Sequence, residues 1–294
     1  MKKRWVKGLL PLLCLLLTAS CTGNGAAPNE TDSTSVESTG TSGENAALPD
    51  LTVTVISIGK ADAILVETEG HSLLIDTGED EDGEKVAAVL EDRGIRRLEY
   101  LVITHLDKDH IGGVDHILPQ VEVGRVIQSC NTEDSGQYEE YEEACREAGI
   151  VPERLTDPLS LSLGGAELRL LPAARCDYED DNDYSVLTEM TYGQCRFLFA
   201  GDAEDERLEE YLSREEVDTV DFLKVPHHGR LSHLSEALIE AVSPRYAVIT
   251  CSKKNPPDEE LLELLEQNGA QVFLTTDGSV RAVCDGLSLR VVRA

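Results

Sequence analysis

The stretch Thr104-His105-Leu106-Asp107-Lys108-Asp109-His110-Ile111-Gly112-Gly113 sets two imidazoles and two carboxylates within six residues of one loop. The apolar run Tyr100-Leu101-Val102-Ile103 before it reads as a buried strand, and the glycine pair with Val114 to Leu118 reads as a tight turn entering a helix. Mixed nitrogen and oxygen donors suit a borderline divalent metal such as zinc or manganese. A solvated charged turn is the plain alternative, but four potential ligands so closely spaced weigh against it. Such ligands are best presented at strand ends on a rigid scaffold. Three further points in the chain share that placement: Asp76, Asp202 and His228 each follow an apolar run.

The N-terminal 21 residues read as an address. Lys2, Lys3, Arg4 and Lys7 precede a short apolar core, Leu9 to Leu17, interrupted by Pro11. Such a core falls short of the roughly 20 apolar residues a spanning helix needs, which makes a signal peptide the expectation. It closes on Leu17-Thr18-Ala19-Ser20-Cys21, similar to a bacterial lipobox with Cys21 as the acylated residue; simple secretion is the rival. Residues 22–50 are dominated by Ser, Thr, Gly and Glu, with almost no large apolar side chain. They cannot bury enough surface to offset their ordering entropy and are expected to form a disordered tether.

Residues 51–294 then suffice for one layered domain. The 26 basic against 56 acidic residues give −30, and setting aside the four bases of the signal region leaves −34. A field of that sign disfavours non-specific binding to nucleic acid or anionic lipid, unless a local basic or metal-bearing cleft overrides it. Six cysteines remain beyond Cys14 and Cys21, none in C-x-x-C spacing, so a thiolate zinc site is not expected. Export permits up to three disulfides, and Cys195, Cys251 and Cys284 fit buried free thiols equally well.

In order, Leu51–Ile56, Ala63–Thr68 and Ser72–Asp76 read as a strand meander, Val86–Leu90 as an amphipathic helix, and Leu98–Ile103 and Glu122–Gln128 as strands. An acidic helix covers Tyr138–Ala148. A second strand series opens at Ala166–Leu171 and continues through Tyr184–Met190, Cys195–Ala200 and Val220–Val225. Helices at Glu204–Leu212, Ser232–Val242 and Asp258–Asn268 and strands at Tyr246–Thr250, Val272–Leu274, Val280–Cys284 and Leu287–Val292 complete the chain. Two strand-rich halves, each followed by helices, imply an α/β protein of two mixed sheets between helical layers.

Taken singly, an Asp-Thr-Gly or Gly-Asp-Ala is an ordinary turn. The ordered set Ile75-Asp76-Thr77-Gly78, the Thr104 loop, Gly201-Asp202-Ala203-Glu204 and Val225-Pro226-His227-His228-Gly229 resembles the metallo-β-lactamase superfamily. More narrowly it is similar to the hydrolase domain of ComEC-type competence proteins and their stand-alone relatives, with Gly59-Lys60-Ala61-Asp62-Ala63 and Asn182-Asp183-Tyr184-Ser185-Val186-Leu187 as further matches. The resemblance covers 51–294 and implies a four-layer αββα sandwich with its site along one edge. It implies two divalent metal ions, zinc or manganese: His105, Asp107 and Asp202 on the first, and Asp109, His110, Asp202 and His228 on the second. Asp76 is expected to hold a ligand histidine by hydrogen bond. Asp62, Asn182 and Ser185 are expected to support the ligands, and His227 either to support one or to donate a proton. Asp107 stands where zinc enzymes of the superfamily carry histidine, and no histidine lies between His116 and His227. An oxygen-rich first position favours manganese or magnesium over zinc. His71, His116 and His233 read as turn or helix-surface residues.

The implied function is an exported, membrane-tethered metal-dependent hydrolase acting on a phosphodiester. Cation-activated water is the expected nucleophile, Asp109 the proton acceptor, and Lys60 or one of Lys253 and Lys254 the phosphate contact. DNA follows from the resemblance, while the charge fits a small surface diester such as teichoic-acid phosphorylcholine or a nucleotide. A weakly catalytic metal-binding accessory of DNA uptake is the reading from another class.

Overall fold

The computed structural model describes residues 48–294. The signal peptide, Cys21 and the tether through residue 47 lie outside the described residues. The folded region begins slightly before the expected boundary, because the Pro49 carbonyl accepts the Tyr192 hydroxyl and Leu48 lies against Gly286.

Strands β1 (Leu51–Val55), β2 (Ile64–Thr68), β3 (His71–Ile75), β4 (Arg97–Ile103), β5 (Glu122–Gln128) and β6 (Glu153–Arg154) lie side by side in chain order. The second sheet holds β7 (Leu159–Leu163), β8 (Ala166–Leu171), β9 (Leu187–Tyr192), β10 (Cys195–Phe199), β11 (Phe222–Lys224), β12 (Tyr246–Ile249) and β13 (Gln271–Leu274). The last hairpin, β14 (Val280–Cys284) and β15 (Leu289–Arg293), does not extend the second sheet. It returns to the first, β14 pairing antiparallel with β1 to make eight strands against seven. The two sheets are therefore not two halves of the chain.

Helices α1 (Asp80–Asp92), α2 (Lys108–Ile111), α3 (Val114–Ile117) and α4 (Gly136–Glu147) accompany the first sheet; α5 (Asp205–Leu212), α6 (Ser235–Val242) and α7 (Glu259–Gln267) accompany the second. Alternation along the strands explains the layering. In β2 and β3, Ile64, Val66, Leu73 and Ile75 enter the core between the sheets, whereas Leu65 and Leu74 face Val86 and Leu90 of α1. Leu198, Leu223 and Ala247 likewise face Leu208, Leu238 and Leu265 of the outer helices on the other side. Two sheets buried on both faces give the αββα sandwich.

Several boundaries differ from expectation for local reasons. Helix α1 starts six residues before Val86, because Asp80, Glu81 and Asp82 suit the positive end of the helix dipole although they are not apolar. The Leu-Ser-Leu-Ser-Leu of β7 alternates as a strand should, and was not expected as one. Tyr184 belongs not to β9 but to a 3-10 turn, Asp181–Tyr184, opened by the Asp180 carboxylate accepting from the Asn182 amide at 3.0 Å. His71 begins β3 rather than sitting in the turn before it, with Nδ1 2.6 Å from Glu99 Oε1.

Of the six cysteines, Cys130 and Cys176 form a disulfide, while Cys145, Cys195, Cys251 and Cys284 are buried thiols. No helix among the described residues is long and apolar enough to cross a membrane.

Candidate metal centre

Parallel strands β3 and β4 of one sheet and β10, β11 and β12 of the other end at the same edge of the sandwich. The residues that follow those ends make the site: Asp76 after β3, Thr104 and His105 after β4, Asp202 after β10, His228 after β11 and Thr250 after β12. The backbone there is forced. Asp76, His227 and His228 hold φ of 56°, 45° and 52°, and Ser243 is the other non-glycine residue with positive φ among those described. Such conformations cost free energy and persist where surrounding structure imposes them. The loop carrying His110 is clamped to the Asp76 turn, since both the amide and the hydroxyl of Thr77 donate to the His110 carbonyl, at 2.8 and 2.9 Å. Gly113 allows this approach, because a Cβ there would stand 2.4 Å from the Thr77 carbonyl oxygen.

Each of three histidines is tied at Nδ1. Asp76 Oδ2 accepts from His110 Nδ1 at 2.8 Å and from the Thr104 hydroxyl at 2.7 Å, and Asp76 Oδ1 accepts from the Thr104 amide at 2.8 Å. With its proton given to Asp76, the Thr104 oxygen is left to accept from His105 Nδ1, 3.1 Å away. The Thr250 hydroxyl likewise donates to Asp62 Oδ1 at 2.6 Å and faces His228 Nδ1 at 3.0 Å as acceptor. Asp62 is held in turn by Lys224, whose fully buried ammonium lies 2.5 Å from Asp62 Oδ2 and 3.3 Å from the Gly201 carbonyl. Two relays thus keep a ring proton on Nδ1 of all three imidazoles and leave Nε2 as the atom a cation could take.

Those Nε2 atoms have no hydrogen-bond partner. His105 Nε2, His110 Nε2, His228 Nε2 and Asp202 Oδ1 are buried and unsatisfied, and Asp109 Oδ2 is engaged only by the Lys60 ammonium, 2.7 Å away. They face one space: His228 Nε2 stands 2.9 Å from Asp202 Oδ2 and 3.3 Å from Asp109 Oδ2, and His110 Nε2 stands 3.5 Å from Asp202 Oδ2, none aligned as a hydrogen bond. Ligand atoms of His105, His110 and Asp202, and of Asp109, His110 and His228, lie within 4.8 Å of one another in each set. Buried polar atoms are rarely left unpaired, and four converging beside the Asp109 carboxylate are what a cation would satisfy. Charge argues the same way. Asp62, Asp76, Asp109 and Asp202 are buried carboxylates, against one fully buried cation, Lys224, and the half-buried Lys60. Burial works against a charged His110, yet the carboxylates of Asp202 and Asp76 override it and raise its pKa well above the ordinary value. Protons thus stand where a divalent ion would displace them. The donor set fits one or two such ions.

The other expected residues are less uniform. Asp107 lies at the rim, its side chain 41% exposed and Oδ2 3.8 Å from His105 Nε2. The Ser185 hydroxyl accepts the Asp202 amide at 3.1 Å, and Asn182 Nδ2 reaches Glu204 Oε1 at 3.4 Å. Lys60 is present but not free, its ammonium 2.7 Å from Asp109 Oδ2. His227 turns away from the ligand set and pairs through Nδ1 with Glu204. His116 faces Asp80 at 3.2 Å, and His233 is exposed. Sequence reasoning passed over Lys224, Thr104, Thr250 and Glu204 as functional groups. Only Lys224 left a signal, a charge inside the apolar run Val220 to Val225.

Burial and the carboxylates of Asp180 and Asp183 push Glu204 up to about 7, while burial lowers His227.

The sequence model of the metallo-beta-lactamase superfamily matches residues 57–253. ComE operon protein 3 of Bacillus subtilis (strain 168) is 28% identical over 244 residues, covering 76% of this chain and 31% of that protein. Recombination protein 2 of Haemophilus influenzae is 27% identical over 242 residues, covering 79% of this chain and 29% of that protein. The chain thus spans about a third of the length of these curated relatives. Among solved structures, the metallo-beta-lactamase fold protein YhfI from Bacillus subtilis superposes with a TM-score of 0.52 at 13% identity, covering 83% of this chain and 100% of that one.

Proposed function

This chain belongs to the metallo-β-lactamase superfamily, and on that premise we propose that it is a divalent-metal phosphodiesterase, exported and held at the cell surface by a lipid on Cys21. The observation that carries the catalytic part is the set of four unpaired buried atoms converging beside Asp109, with three imidazoles locked at Nδ1. When bound, the cations supply Lewis acidity: they acidify a water and offset charge on the phosphoryl oxygens. The chain's own residues do the rest. His105, His110, His228, Asp109 and Asp202 bind the cations, and the Asp76 and Asp62 relays orient the rings. Asp109 is a buried carboxylate. Burial alone would raise its pKa, but His228, His110 and Lys60 hold it well below the ordinary carboxylate range. It therefore stays ionised, as a metal ligand must. Proton transfer falls instead to His227 and Glu204, which give the leaving oxygen its proton as the phosphorus–oxygen bond breaks and the oxygen of water takes its place.

The test is hydrolysis of bis(p-nitrophenyl) phosphate with added Mn²⁺ or Zn²⁺. The wild type turns over; Asp109→Ala and His228→Ala fall to the uncatalysed background. Because the proton donor must be protonated, the wild-type rate declines as pH rises through about 7, and Glu204→Gln removes that limb. A wild type inert with every metal refutes the enzyme and leaves the metal-binding accessory. For the anchor, Cys21→Ala releases the protein to the medium; unchanged membrane retention contradicts it.

A further inference from the structure

His105 Nε2, fully buried and without a hydrogen-bond partner, faces the rim of the centre, where Asp107 Oδ2 stands 3.8 Å away. Two loops meet at that rim. One follows β5, which runs parallel to β4 and ends at the same edge. In it the Ser129 hydroxyl donates to Asn131 Oδ1 at 2.8 Å, and Asn131 Nδ2 donates to Glu133 Oε1 at 3.2 Å, so the Glu133 carboxylate is aimed. The other loop precedes β9 and carries Asp181, the first residue of the 3-10 turn that Asp180 opens. The Cys130–Cys176 disulfide joins the two loops, and Tyr178 and Tyr184 meet edge to face at 5.1 Å with half-buried Cys130 packed against them. The Glu133 and Asp181 carboxyls come within hydrogen-bonding reach of each other, and Asp107 and His105 act on both. Among the described residues no lysine or arginine forms an ion pair with Asp107, Glu133 or Asp181. Carboxylates gathered in this way repel one another unless a cation or a proton comes between them.

We propose that Glu133 and Asp181 supply the carboxylates that hold the cation at His105, in the place of the imidazole this chain lacks between His116 and His227. The inference rests on the metal centre of the phosphodiesterase reading and adds outer ligands to it. With Asp107 and Asp202 the two make an oxygen-rich position suited to Mn²⁺ or Mg²⁺, beside the imidazole-rich position of His110 and His228. The disulfide then fixes the two loops whose carboxylates must meet, and the Ser129–Asn131 relay orients Glu133 toward the ion.

Equilibrium dialysis of the purified protein against Mn²⁺, with the bound metal counted, is expected to give two ions per chain. Glu133→Gln/Asp181→Asn weakens one of them by about 10-fold or more and leaves the other within about twofold of wild type. Asp134→Asn/Glu179→Gln removes two exposed charges from the same loops and changes neither, which separates ligation from lost surface charge. Circular dichroism and an intact Cys130–Cys176 bond check the fold. If the pair does not fold, Asp181→Asn alone, at an exposed position, is expected to weaken the same ion. Two ions held as tightly by the variant as by wild type, an equal loss in the Asp134/Glu179 pair, or a wild type that binds at most one ion overturns the inference. Turnover is read separately. A protein that binds two ions and hydrolyses no diester refutes the phosphodiesterase and leaves these ligands standing.

Discussion

Asp76→Asn is expected to weaken divalent-metal binding by about 10- to 100-fold, the usual loss when a group that orients a metal-bound imidazole is removed. Asparagine is the right replacement because it tolerates the positive φ of this position, so the backbone is retained. What changes is the proton pattern. Asp76 accepts from the Thr104 amide, the Thr104 hydroxyl and His110 Nδ1, and asparagine offers one oxygen where two are used. Its NH₂ group turned toward Thr104 and His110 meets two donors, so the His110 ring must change tautomer or rotate. His105 follows, because its Nδ1 relies on the same Thr104 oxygen. One substitution that touches neither lone pair thus disorders two ligands. Mn²⁺ binding followed by electron paramagnetic resonance measures it. An affinity within twofold of wild type, with the fold intact by circular dichroism, removes the orienting role.

The second large effect is on stability. Lys224→Met is expected to destabilise the protein by about 3–5 kcal/mol, the range for breaking a buried ion pair by deleting one partner. The ammonium is fully buried and balances Asp62 at 2.5 Å while lying 4.0 Å from Asp202. Burial disfavours the ammonium, but Asp62 and Asp202 outweigh that and raise its pKa. A raised value means that its contribution is complete below the unfolded-state pKa and is lost only as pH rises through the still higher folded value. The effect should therefore be undiminished at pH 7. Lys224→Met/Asp62→Asn removes the orphaned charge and should recover at least half of the loss in urea unfolding. A single variant within 1 kcal/mol of wild type, or a double variant no better than the single, contradicts this account of Lys224.

How much of this was legible in the sequence depends on the range of the interaction. His105, Asp109 and His110 announce themselves because ligand types crowd one short loop after an apolar run. Asp76, Asp202 and His228 follow the same strand-end rule, and the family pattern orders them. Thr250 carries no local signal, since its meaning lies in Asp62, 188 residues away. Thr104 and Glu204 are equally silent until Asp76 and His227 are placed beside them. The return of β14 and β15 to the first sheet depends on a pairing with β1 at the far end of the chain, which no window of sequence contains. Six cysteines admit many pairings, and only the meeting of two loops selects Cys130 with Cys176. Lys60 was placed at the site by its motif, but its bond to Asp109 required the fold.

The central claim is that the converging atoms of His105, His110, His228, Asp109 and Asp202 are metal ligands. A crystal structure of the protein grown with Mn²⁺, with anomalous scattering to locate the ions, tests it most directly. The account predicts two ions within about 2.0–2.2 Å of the imidazole Nε2 atoms they engage. Ions bound only elsewhere, or a centre still closed by contacts among its own side chains under saturating metal, would contradict it.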